Sequence, residues 1–133
     1  MKGDFVGHPV MHWEMMSKKP EKLSAFYKKI FNWEIRFLPE LDYRMVETGS
    51  KLGIKGGIFK PKRSGPWPAK MTVYIAVENL APYRRKITAA GGKILIREQK
   101  VPGVGALTLF LDPDSRMMGL FKPLRMKKKK NKS

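Results

Sequence analysis

His12 and Glu14 stand two residues apart in Val10-Met-His-Trp-Glu-Met-Met16, a stretch that reads as a strand with two different faces. Met11, Trp13 and Met15 share one side, and Val10, His12 and Glu14 the other, because successive side chains of a strand alternate. An imidazole and a carboxylate on one face can hydrogen-bond, exchange a proton or ligate a metal. A catalytic metal usually takes three protein ligands, and this spacing supplies two. On an apolar wall, desolvation disfavours the charged form of Glu14, whereas a protonated His12 favours it. The two are then expected to titrate as a coupled pair. With no cysteine in the chain, thiolate metal sites, disulfides and Cys nucleophiles are excluded.

The strand is followed by a helix. Pro20 and Glu21 suit its first turn, and Leu23, Phe26, Tyr27, Ile30 and Phe31 form an amphipathic stripe that Asn32 can end. Lys22, Lys28 and Lys29 take the wet side. Three short strands come next, around Trp33–Phe37, Tyr43–Thr48 and a glycine-bracketed run ending near Lys60. Residues 61–69, with three prolines and a glycine among positions 61–68, read as a linker. The order then repeats. Met71 to Val77 alternates, Asn79 suits an N-cap, Leu80, Tyr83, Ile87 and Ala90 give a second helical stripe, and Gly91-Gly92 ends it. Lys93 to Lys100, Leu107 to Leu111 and Met117 to Phe121 are the closing strands, with Asp112-Pro-Asp-Ser115 turning the last pair.

Each half is therefore βαβββ, and Met118-Gly-Leu-Phe-Lys-Pro123 echoes Gly56-Gly-Ile-Phe-Lys-Pro61, aligning Gly57 with Gly119. The expected fold is α+β, two tandem modules (about 8–61 and 70–123) forming a curved mixed sheet around one cavity with helices outside. Alternation puts His12 and Glu14, then Gly57 and Phe59, then Thr72 and Tyr74, and finally Met117, Gly119 and Phe121 on the cavity wall, with Val10 and Ala76 beside them. That lining is apolar and aromatic with a few polar groups, the usual make-up of a small-molecule site. Gly57 and Gly119, lacking side chains, are expected to leave room in it.

At 133 residues and +17 net charge, the chain suits one domain over 1–124 and a basic, disordered tail over 125–133. Lys127, Lys128, Lys129 and Lys130 make that tail a non-specific contact for polyanions. The opening residues lack the apolar run of a signal peptide and no stretch is long enough to span a bilayer, so a cytoplasmic protein without membrane contact is expected.

Pro20-Glu21…Ala25-Phe-Tyr27…Phe31-Asn-Trp33, Tyr74-Ile-Ala-Val-Glu-Asn79, Ala90-Gly-Gly-Lys93, Pro102-Gly-Val-Gly105 and Asp112-Pro-Asp114, in this order and spacing, resemble the glyoxalase/bleomycin resistance/dioxygenase (vicinal oxygen chelate) superfamily. The likeness runs from about His12 to Pro123 and is nearest to short bacterial glyoxalase-like proteins. It implies metal-ligand positions at His12, at or beside Gly57, at Thr72 and at Gly119, of which only His12 is a good donor. The implied function is a small-molecule-binding protein of bleomycin-resistance type without a catalytic metal or other cofactor, forming a homodimer. The alternative is a divalent-metal lyase or isomerase of the lactoylglutathione lyase type; a second is a polyanion- or nucleic-acid-associated protein acting through the basic surface.

Overall fold

Two compact units divide the chain, Met11–Val73 and, together with the residues up to Val10, Tyr74 onward. The computed structural model describes residues 7–62 and 70–124. Most of the expected linker and all of the tail, including Lys127 to Lys130, lie outside the described residues.

The first unit runs β1 (Val10–Met16), α1 (Pro20–Phe31), β2 (Glu34–Leu38), β3 (Tyr43–Glu47) and β4 (Gly56–Phe59). Proline opens α1 because its φ is preset and the first turn needs no N–H from it. Glu21 in the first turn and Lys28 and Lys29 in the last complement the helix dipole. Asn32, at φ 59°, ends the helix in the left-handed conformation that a short polar side chain tolerates. The strands lie in the order β2-β3-β4-β1, with β1 and β4 parallel and the other pairs antiparallel. Trp13 lies opposite Gly56, and the indole occupies the space that a side chain at Gly56 would need. Val46 and Ile58 are fully buried. Arg44, in register with Ile58, reaches Glu21 of α1 at 3.4 Å, so the helix covers this face and not the one carrying His12 and Glu14.

The second half of the chain repeats the plan with β5 (Met71–Ala76), which spans the boundary between the units, α2 (Leu80–Ala89), β6 (Lys93–Val101), β7 (Gly105–Leu111) and β8 (Met117–Pro123). Here β5 and β8 are parallel, β8–β7 and β7–β6 antiparallel. Val77, Leu80, Phe110 and Leu120 form its core, with Ile75, Tyr83 and Ile87 packed against them. Asp112 accepts the backbone N–H groups of Asp114 and Arg116, both at 2.9 Å, which closes the β7–β8 turn. Gly91, at φ +100°, stops α2, and the Gly92 N–H bonds the Ile87 carbonyl at 2.8 Å.

The chain is thus α+β, with eight strands and two helices among the described residues, and the two βαβββ units share strand order and pairing directions, though β6–β7 carries register shifts that β2–β3 does not. Glu14 registers with Gly57 as Tyr74 does with Gly119, so the two glycines are equivalent, as the internal echo predicts.

Two local expectations come out differently. Asn79 takes the extended backbone of an N-cap but makes no side-chain cap bond. On α1 the buried positions are Pro20 and Ser24, while Phe26, Ile30 and Phe31 of the stripe remain 52–56% exposed. The reason is rotational. Ser24 is small enough to let the helix settle on the sheet along its own side, and the aromatics gather instead around Trp33, which stacks on Tyr27 at 5.0 Å and 8°.

Candidate functional site

Parallel pairing of β1 with β4, and antiparallel pairing of β4 with β3, set His12, Glu14, Gly57, Phe59 and Tyr43 on one face of the first unit. Tyr43 joins them. Its hydroxyl donates to Glu14 Oε2 at 2.9 Å and lies 2.7 Å from His12 Nε2. A phenol carries one proton, and this one goes to the carboxylate, so the short contact needs His12 to donate from Nε2. That choice selects the Nε2–H tautomer.

Burial shapes the electrostatics. Glu14 is only 8% exposed. The His12 imidazole is pushed down from 6.5 to about 4 by burial, which penalises its charged form, so it is neutral at physiological pH. The result is a chain of two hydrogen bonds from a neutral imidazole through a phenol to a carboxylate. Such a chain can hold a polar ligand group in a fixed orientation and can pass a proton along its length.

The Tyr43 ring is fixed on three sides. It lies 6.2 Å from the His12 ring and 5.8 Å from Phe59, inclined to them by 25° and 29°, and it occupies the space that a side chain at Gly57 would fill. The room expected at Gly57 is therefore taken by tyrosine. Gly119 behaves likewise, since a Cβ there would overlap the Tyr74 ring. Glycine at these positions serves close packing, which corrects the reading of both as openings.

Tyr74 meets Phe121 edge-on at 6.4 Å, and Met117, Gly119 and Phe121 alternate along β8, all buried. Thr72 is buried on β5, two residues before Tyr74. Sequence reasoning placed these residues on their strands but missed Tyr43. The signal for it was alternation along β3, which puts Tyr43 and Met45 on one face. That signal becomes informative only once Met45 is known to pair with Gly57.

The donor set does not suit the metal of the family's enzymes. Of the four implied ligand positions, Gly57 and Gly119 carry no donor and lie beneath tyrosine rings, and Thr72 offers only a hydroxyl. His12 bonds Tyr43 through Nε2, and one imidazole without further protein ligands does not make a catalytic metal site. Among the described residues no three His, Cys, Asp or Glu side chains could hold an ion together.

No protein-family model matches the chain. A curated relative, the putative glyoxylase CFP32 of Mycobacterium tuberculosis, is 26% identical over 113 residues, covering 83% of this chain and 42% of that protein. The chain thus spans less than half the length of the curated relatives it matches. A glyoxalase/bleomycin resistance protein/dioxygenase superfamily member from Vibrio splendidus superposes with a TM-score of 0.59 at 12% identity, covering 89% of this chain and 100% of that one. The chain has the glyoxalase/bleomycin resistance/dioxygenase superfamily fold. Methylmalonyl-CoA epimerase from Mycobacterium tuberculosis shares it (TM-score 0.63, 9% identity, 87% and 88% covered). So does a Legionella pneumophila structure described as an NAD-dependent benzaldehyde dehydrogenase (0.65, 18%, 84% and 97%). Names this different on one superfamily fold mean that activity must be argued from the site.

Proposed function

We propose that this chain is a small-molecule-binding protein of the glyoxalase/bleomycin resistance type that works without a catalytic metal, with the His12–Tyr43–Glu14 face as its polar anchor. The observation that carries the reading is the bond from Tyr43 Oη to Glu14 Oε2 at 2.9 Å, together with the 2.7 Å contact to His12. It fixes the orientation of the His12 ring through Nε2 and builds an oriented polar strip beside Phe59. A ligand with a hydrogen-bonding head and an aromatic or aliphatic body matches that chemistry. The chain would act as a homodimer in the cytoplasm. Its lysine-rich end would add salt-sensitive contact with polyanions.

A second reading, metal-free proton transfer, draws support from the same geometry. A neutral imidazole linked through a phenol to a buried carboxylate is a workable acid–base chain. The metal-dependent lyase alternative would need donors that Gly57, Thr72 and Gly119 do not offer.

The test combines metal content with ligand screening. Protein purified without chelator or added metal is expected to hold well under one equivalent of Ni, Zn, Fe or Mn. Ligands found by thermal-shift screening should lose about tenfold or more in affinity on Tyr43→Phe, the scale of a hydrogen bond to a charged group. Stoichiometric metal that disappears on His12→Ala would move the lyase or isomerase reading to first place.

A further inference from the structure

The second unit carries an open groove of about 290 Å³ on the face of its sheet opposite Tyr74 and Gly119, beneath α2. Half-buried Ile75 and Ile87 line it, the exposed C-cap Ala90 borders it, and the buried core residues Val77, Phe110 and Leu120 lie beneath. The space remains because the helical stripe runs Leu80, Tyr83 and Ile87, and α2 then ends at Ala89 with only alanine at its C-cap, position 90. A stripe that ended in a large side chain would fill it. Residues 8–9 form a third edge, held by the Ala76 N–H bonding the Pro9 carbonyl at 2.9 Å and by His8 Nε2 lying 2.9 Å from Tyr83 Oη.

The rim is basic. Lys86 projects over the Tyr83 ring, its ammonium 4.8 Å from the centroid, and His8 meets the same ring edge-on at 4.9 Å. Lys86 forms no ion pair among the described residues. A cation held over an aromatic face at the mouth of an apolar groove is complementary to a ligand with an anionic head and a hydrocarbon body. The volume is near the lower end for ligand pockets, about 300 Å³, which limits the body to a short chain or a single ring system.

We propose that this groove is a second binding site, separate from the His12–Tyr43–Glu14 face, and that it takes small anionic amphiphiles of the fatty-carboxylate class. The carboxylate docks on Lys86 beside His8 and Tyr83, and the chain lies along Ile75, Ile87 and Ala90.

Decanoate, decanol and decyltrimethylammonium serve as probes below their micelle concentrations, followed by calorimetry and by methyl NMR of the full chain. Decanoate should bind saturably, at least tenfold tighter than the cationic probe, and shift the methyls of Ile75, Ile87 and Leu120. Lys86→Glu should weaken decanoate at least tenfold, while decanol changes less than threefold. Lys28→Glu, an exposed charge reversal on α1, should change decanoate less than threefold. Equal losses from the two reversals would reduce the effect to the net charge of the chain and overturn the proposal. So would unaltered decanoate binding in Lys86→Glu, or methyl shifts absent from the groove. Ala90→Leu, which fills the groove, should weaken decanoate and decanol together; if it fails to fold, the two charge reversals still decide. Sedimentation completes the test. Decanoate that binds only by dissociating a dimer would make the groove a self-association surface instead.

Discussion

The two βαβββ units place a tyrosine over the glycine of their last strand, but they bring it from different directions. In the first unit Tyr43 comes from the antiparallel neighbour β3, and Glu14 holds the position across from Gly57 on β1. In the second unit the tyrosine is itself the residue across from the glycine, Tyr74 on β5. The counterpart of Tyr43 there, two residues before the partner of Gly119 on β7, is Leu107. One backbone register therefore yields a hydrogen-bonded imidazole–phenol–carboxylate chain in one copy and an apolar Tyr74–Phe121–Met117 wall in the other. What differs is which strand supplies the ring. Because Tyr43 reaches across from β3, β1 keeps two polar groups for its hydroxyl to join. A duplicated fold can thus carry a polar cluster in one unit and an aromatic wall in the other with the same strand order and pairing directions.

The sharpest way to break this comparison is to add one methyl group to each glycine. Gly57→Ala must displace Tyr43 and with it both hydrogen bonds, so a loss of about 3 kcal/mol or more is expected, above the usual range for overpacking alone. Gly119→Ala displaces Tyr74 from packing and should cost about 1–3 kcal/mol. Chemical denaturation of the two variants checks the order. Equal losses, with the His12 ring resonances unmoved in Gly57→Ala, would mean that the Tyr43 chain adds nothing to packing.

Acid titration tests the polar half next. Burial lowers the His12 pKa to about 4 in the folded protein against 6.5, so between those values the unfolded chain binds more protons. Stability from this group is complete above about pH 6.5, falls as pH drops towards about 4, and is level below that. After discounting for the partly exposed ring, the expected span is about 2 kcal/mol. His12→Gln should remove that slope from the pH dependence of unfolding, and a slope unchanged in the variant would assign it elsewhere.

A smaller effect, about 1–2 kcal/mol, is expected from Tyr43→Phe, which keeps the ring over Gly57 and deletes the hydroxyl. The discriminating readout is the His12 pKa by NMR, which should move when its Nε2 partner is removed. Combined with Gly57→Ala, the two costs should fall short of additive by about 1 kcal/mol, because both act on the same ring. Strict additivity would separate the glycine from the hydrogen-bonded chain.

Much of this architecture was legible beforehand. Period-2 alternation from Val10 to Met16 and from Met71 to Ala76, the helix stops at Asn32 and Gly91-Gly92, and the echo of Gly56–Pro61 in Met118–Pro123 place almost every element. The pairing of His12 with Glu14 on one face followed from the same rule. Tyr43 did not, because it stands 31 residues from His12 and 29 from Glu14, and no local pattern reports which strand lies beside which. The exposure of Phe26, Ile30 and Phe31 was hidden for a related reason. Helical spacing names an apolar stripe, but the rotation of α1 depends on what it meets, here through Ser24.

What the chain determined by itself were the quantities set by neighbours a few residues apart: strand and helix periods, caps, turns, net charge, the missing cysteines and the duplicated order of elements. These depend on backbone geometry and local sterics, which are the same wherever a segment ends up. Only the tertiary structure decided what the glycines are for. At Gly57 and Gly119 the sequence shows a missing side chain, which is equally compatible with an empty cavity and with a ring from another strand. Close packing settles it, because an unfilled space forfeits the dispersion contacts that an aromatic ring can make there, and in both units a tyrosine is within reach to make them.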